Sequence, residues 1–100
     1  MIVAFSIAPA GPDDTGSYAT AVAESVRIVR ASGLPHETNA MFTNLEGEWD
    51  EVMAVVKQAV EAVMAAAPRC SLVLKADIRP GVTDGLESKV ATVERHLEGD

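Results

Sequence analysis

Four carboxylates fall within six residues: Glu46, Glu48, Asp50 and Glu51. Carboxylates this close together are the raw material of general acid–base chemistry, in which one group gives a proton and its neighbour takes one. Trp49 sits among them, and Thr38, Asn39 and Thr43 stand just upstream. Catalysis would also need a nucleophile, a metal-ligand set or an oxyanion-stabilising loop, and the segment brings none. Asp50 and Glu51 read more simply as first-turn acids of a helix opening at Trp49, where negative charge meets the positive end of the helix dipole. Glu46 differs, because it lies on a strand next to Gly47, and a strand glycine lets a ligand or a second chain come close. Trp49 has two readings: a large residue sealing the core edge, or a platform for a flat or cationic ring.

A second set, Lys75, Asp77 and Arg79, alternates along one strand. It is either a solvated face with weak ion pairs or the lining of a site or an oligomer contact. Other chemistries are excluded. An acylphosphatase-type enzyme needs anion-binding amides and an arginine in the loop after the first strand. Here that loop, Pro9 to Gly16, carries Asp13 and Asp14 and no basic residue, so it would repel phosphate. RNA recognition on a sheet needs aromatics interleaved with cations, whereas this chain offers Ser71 and Val73 and a net charge of −7. The lone Cys70 cannot close an internal disulfide, and without a CxxC pair or neighbouring histidines (His36 and His96 are far apart) no zinc site is expected. No catalytic residue and no metal or cofactor ligand is assigned.

The elements that must hold these residues follow from periodicity. One hundred residues make a single domain, 1–100, with one core. Ile2 to Ala8 alternates as a strand, with Val3, Phe5 and Ile7 on one face, and Pro9 closes it. A turn-rich loop leads to a helix capped by Thr15 or Ser17 and striped by Tyr18, Val22, Val26 and Val29. That helix stops at Gly33. His36 to Glu48 lacks helical period and predicts two short strands with a tight connection near Met41 to Asn44. Trp49 to Ala66 is a helix whose stripe reads Trp49, Met53, Val56, Val60, Val63 and Met64. Cys70 to Pro80 alternates as a strand, and Leu86 to Leu97 closes the chain as a helix striped by Leu86, Val90, Val93 and Leu97. The order β-α-β-β-α-β plus a C-terminal helix is the ferredoxin-like α+β plan: two helices over one face of a four-stranded antiparallel sheet. The opposite face, with Ser6, Lys75, Asp77 and Arg79, is expected to be open. The N-terminus has no basic leader and no apolar run is long enough for a bilayer, so cytoplasm is the default.

Three stretches, "FSIAP", "TNAMFTNLEGEWDEVMAVVKQAV" and "VLKADIRPGVTDGLESKVATVERHL", resemble the small thiamine-binding protein family of the YkoF-like superfamily. The resemblance spans nearly the whole chain. It rests on Ser6 with Pro9, Thr38 with Met41, Thr43 with Glu46 and Gly47, and the triplet Lys75, Asp77, Arg79 taken together. It implies a non-enzymatic ferredoxin-like subunit that assembles into dimers or tetramers and binds thiamine, or its hydroxymethylpyrimidine part, near a subunit interface. On that reading the ligand-binding residues are Ser6, Thr38, Asn39, Thr43, Glu46, Trp49 and Asp77. The hydroxyls and amide suit the aminopyrimidine, and Glu46 and Trp49 suit the flat thiazolium cation. Phe42 departs from the glycine that the family pattern carries there, so the pocket is expected to be reshaped. The alternative is a structural or regulatory module whose open sheet serves self-association alone.

Overall fold

In the computed structural model, residues 1–10 and 19–99 are described. The expected helix cap at Thr15 or Ser17, Tyr18 of the first stripe, and the acidic loop with Asp13 and Asp14 lie outside them. Seven elements follow in order: β1 (Ile2–Ala10), α1 (Ala19–Ala31), β2 (His36–Thr38), β3 (Thr43–Glu46), α2 (Trp49–Met64), β4 (Arg69–Asp77) and α3 (Gly85–Glu98). The strands form one sheet in the order β2-β3-β1-β4, antiparallel throughout. This is the ferredoxin-like α+β architecture, with α3 added.

Alternation on β1 builds the core. Val3, Phe5 and Ile7 are buried under α1 and α2, together with Leu45 from β3. Pro9 does not end β1: the strand continues to Ala10, with Pro9 opposite Cys70. Proline lacks an N–H and is tolerated where a ladder bond is not required.

The helical stripes are turned relative to the sequence expectation. On α2 the buried residues are Val52, Val55, Val56, Ala59 and Val63, while Trp49 and Met64 lie at the exposed border. The helix packs through its small residues, which let it sit close to the sheet and α1, so the large side chains are displaced to the rim. On α1, Val29 and Ser25 are buried and Val22 is exposed. The Ser25 hydroxyl donates to the Val22 carbonyl, which satisfies it inside the packed face.

The connection in the hairpin spans Asn39 to Phe42, two residues earlier than the sequence suggests. Asn39 supplies the turn chemistry: its Oδ1 accepts the backbone N–H of both Met41 and Phe42 at 2.9 Å, and its own N–H donates to the Phe42 carbonyl. This is an Asx-type turn, which explains why Phe42 is tolerated in it.

The sheet face opposite α1 and α2 is open along most of its length, with one exception. The first turn of α3 sits on it, at the end marked by Ile2, Glu46 and Asp77. Beyond that turn α3 runs clear of the body: Val90, Val93 and Leu97 are exposed, Leu97 by 69%. The expected apolar stripe of α3 therefore exists but has no cover within the described residues. The molecule is correspondingly elongated, 52 × 30 × 20 Å, with a radius of gyration of 15.3 Å against about 13 Å for a compact chain of this length.

Candidate functional site

Strand β3 carries the proposed ligand residues at both of its ends. At the hairpin end Thr43 pairs with Phe5 of β1 and with Thr38 of β2. The Thr38 and Thr43 hydroxyls lie 3.4 Å apart and form the side of a pocket of about 170 Å3. Ser6, Asn39, Met41 and Phe42 stand at its rim, Phe5 and Ile7 at its base, and Val22 and Ser25 of α1 line it from the helix-covered side of the sheet. Thus four sequence-predicted residues, Ser6, Thr38, Asn39 and Thr43, share one pocket. Asn39 spends its oxygen on the turn, which leaves its amide N–H2 as the group free to face a ligand.

At the other end of β3, Glu46 is only 2% exposed, and its carboxylate faces the start of α3. Oε2 accepts the Gly85 N–H at 2.6 Å and Oε1 accepts the Leu86 N–H at 3.1 Å. The first amides of a helix lack intrahelical partners and carry the positive end of its dipole, so a buried carboxylate is well matched to them. Gly85 is required by proximity: a Cβ there would lie 2.7 Å from Ile2 Cδ1 and 2.9 Å from Glu46 Oε2. Asp77, opposite Ile2 on β4, holds Lys89 of α3 in an ion pair. The hydrogen bond from Lys89 holds the Asp77 carboxyl below its usual pKa; desolvation, the next-largest effect, opposes it, and the charges of Lys89, Arg79 and Lys75 each add to the lowering. Glu46 and Asp77 therefore form a second cluster, about 10 Å along the strand from Thr43 at the usual rise per residue and on the opposite face of the sheet.

Between α3 and β2 lies a larger open cleft of about 610 Å3. Glu46 lines it, with His36, Glu37, Asp84, Glu87 and Val90 around it. The ring N–H of His36 Nδ1 donates to the Leu34 carbonyl. Sequence reasoning did not assign His36, Glu37, Asp84, Glu87 or Lys89 to a site, because the path of α3 over the sheet end cannot be read from its period. The glycine at the opening of α3, next to an acidic N-cap position, was the available signal. Trp49, the first residue of α2, is 55% exposed and lines neither the pocket nor the cleft. Glu51 acts at the start of α2, where Oε1 accepts the Glu48 N–H at 3.1 Å.

The sequence matches the thiamine-binding protein family over residues 3–94. The chain belongs to that family. UPF0045 proteins of Mycobacterium bovis and Mycobacterium tuberculosis are each 57% identical over 98 residues, covering 97% of this chain and 94% of theirs. A hypothetical protein of Methanocaldococcus jannaschii superposes with a TM-score of 0.82 at 30% identity, over 93% of this chain and 94% of that one. A Thermotoga maritima protein proposed to serve thiamine biosynthesis or salvage superposes with a TM-score of 0.74 at 25% identity, over 89% and 96% of the two chains. Among the described residues no group of three or more His, Cys, Asp or Glu is placed to hold a metal ion, and no helix is long and apolar enough to cross a membrane.

Proposed function

We propose that this protein binds thiamine, or its hydroxymethylpyrimidine moiety, without transforming it, as a self-associating cytosolic subunit. Membership of the thiamine-binding protein family over residues 3–94 carries the reading. The geometry supports it at the hairpin end, where Thr38 and Thr43 offer hydroxyls that both donate and accept and Asn39 offers a donor, while Ser6 of the proposed set borders the pocket from β1 with its side chain on the open face. A pocket of about 170 Å3 suits a single ring; whole small-molecule sites run to roughly 300–1,000 Å3. The pyrimidine is accordingly placed here, beside Phe42, and the rest of the vitamin needs room that a second subunit would enclose. Within one subunit Glu46 faces the other side of the sheet from this pocket, so the thiazolium is assigned to the Glu46 of a neighbouring copy, whose carboxylate has about four acceptor positions and uses two on α3. Trp49 and Asp77 complete the proposed set, Trp49 from the exposed start of α2.

Calorimetry against thiamine, hydroxymethylpyrimidine and the thiamine phosphates tests the reading, with thermal melting as a second readout. A ligand at one hundred times its Kd stabilises the fold by about 2.7 kcal/mol, a rise in Tm of roughly 10 °C for a domain of this size. Neither heat nor thermal shift with any of the compounds would overturn it. Thr38→Ala should weaken binding while leaving the Tm of the free protein nearly unchanged. The exposed stripe of α3 favours a second reading, a module that only self-associates. Native mass spectrometry across a dilution series, with and without thiamine, separates the two: an oligomer indifferent to the vitamin supports the second.

A further inference from the structure

Strand β4 is the outermost strand of the sheet. It pairs with β1 along its whole length, from Arg69 opposite Ala10 to Asp77 opposite Ile2. Nine residues long and free of proline and glycine, it has no partner on its outer side among the described residues. Leu72 and Val73 are exposed upon it. A long, unprotected, partly apolar edge presents a row of unpaired N–H and C=O groups and is a template for another strand. The opposite edge, β2, has only three residues.

We propose that β4 pairs antiparallel with β4 of a second copy, in the register centred on Val73, to give one eight-stranded sheet. This rests on the self-association half of the proposed function and names the edge that performs it; it is independent of the ligand. The charge pattern selects the register. A two-fold axis through a shared edge stands perpendicular to the sheet and keeps both sets of helices on the same face. Each open-face residue of β4 must then meet another open-face residue, so the axis passes through a residue and not between two. Centred on Val73, Arg69 faces Asp77 of the second copy and Asp77 faces its Arg69, while Ser71 faces Lys75. On the helix-covered face Leu72 meets Leu74 and Cys70 meets Ala76, and all nine residues overlap. Centred one residue earlier, on Leu72, Arg69 would face Lys75. Centred one residue later, on Leu74, Arg69 would be set against Arg79. Like charges directly opposite are destabilising, and opposite charges favourable. Asp77 keeps Lys89 on one oxygen and has further acceptor positions for the guanidinium.

The test is a charge exchange read by native mass spectrometry and sedimentation. Arg69→Asp places two acids opposite one another at both ends of the pairing, and Asp77→Arg places two cations there. Each variant alone should raise the dimer dissociation constant about tenfold or more. Mixed one to one, the two variants should form a heterodimer of near wild-type affinity, because every 69–77 pair is then opposite in charge. That rescue also controls for loss of the Asp77–Lys89 contact. Independently, Val73→Cys in a Cys70→Ser background should oxidise to a covalent dimer through the axis, where directly opposed residues lie within disulfide reach. A wild-type dimer whose affinity neither variant changes, or a mixture that fails to form heterodimers, overturns the β4 pairing and leaves self-association standing. A wild-type chain that stays monomeric at high concentration overturns both.

Discussion

The Glu46 carboxylate should hold α3 to the sheet, and Glu46→Gln measures how firmly. A glutamine of the same shape has one oxygen for the two amides at 2.6 and 3.1 Å. Its N–H2 must then face a backbone N–H, leaving a donor unpaired where the side chain is only 2% exposed. An unsatisfied buried donor costs about 1–3 kcal/mol, and losing the negative charge at a helix N-terminus removes about 0.3–1 kcal/mol more. The sum is about 1.3–4 kcal/mol, acting on α3 alone. No α3 side chain belongs to the buried core, so the loss should appear as local opening and not as global unfolding. Hydrogen exchange reads this directly. Amides at the start of α3, Gly85 and Leu86 first, should exchange about 10- to 900-fold faster. Core amides at Val3, Phe5 and Val55 should change by a few fold at most. Unchanged protection at Gly85 and Leu86 would refute the latch, and equal acceleration everywhere would refute its independence from the core.

Three further expectations follow from the same contacts. Gly85→Ala drives a methyl against Ile2 and Glu46, so it should loosen α3 as Glu46→Gln does, by about 1–3 kcal/mol, in the same exchange experiment. Asn39→Ala removes the acceptor of two turn amides and should cost about 1–2 kcal/mol, lowering the Tm by some 4–15 °C, whereas Asn39→Asp keeps the acceptor and most of the stability. The folded-state pKa of Asp77 is depressed, so its stabilising contribution is complete above the ordinary carboxylate value of 3.8 and is lost as pH falls below it. Acid titration of α3 exchange should therefore show no Asp77-dependent change above about pH 5, and Asp77→Asn should remove any step below pH 4.

The sheet was readable because its signal has period two and a buried face that tolerates no slip. Val3, Phe5 and Ile7 name the core face of β1, and every registered pair then places Ala4, Lys75 and Asn44 on the other. The helices were readable in extent but not in rotation. Trp49, Met53 and Met64 are the largest apolar residues on α2 and attract any reading by hydrophobicity, yet close packing adds Val52, Val55 and Ala59 to the expected Val56 and Val63 and leaves Trp49 and Met64 exposed. Thermal melts distinguish the two stripes: Val52→Ala should cost about 1.5–3 kcal/mol, and Trp49→Ala much less. The polar side of the hairpin pocket was legible because Thr38, Asn39 and Thr43 are neighbours in sequence; its base, Phe5 and Ile7 of β1 with Val22 and Ser25 of α1, comes from far along the chain. The Glu46 cluster was not. Its partners are amides 39 and 40 positions away, and a backbone N–H leaves no mark in a sequence.

This separation of the two clusters bears on how the ligand reading is to be tested. Among the described residues the Thr38 hydroxyl meets only that of Thr43, at 3.4 Å, and Thr38 is exposed, so Thr38→Ala perturbs the pocket and little else. Glu46 is different, because changing it also frees α3 and with it one wall of the acidic cleft. A fall in affinity after Glu46→Gln therefore has two causes that affinity alone does not separate. Gly85→Ala separates them, since it displaces α3 while keeping the negative charge on Glu46. If Gly85→Ala weakens thiamine binding as much as Glu46→Gln does, the position of α3 matters and the Glu46 charge does not. If Gly85→Ala loosens α3 yet leaves affinity intact, while Glu46→Gln lowers it, the carboxylate itself faces the thiazolium. If neither changes the affinity and Thr38→Ala does, the ligand is confined to the hairpin pocket, and Glu46 serves the fold alone.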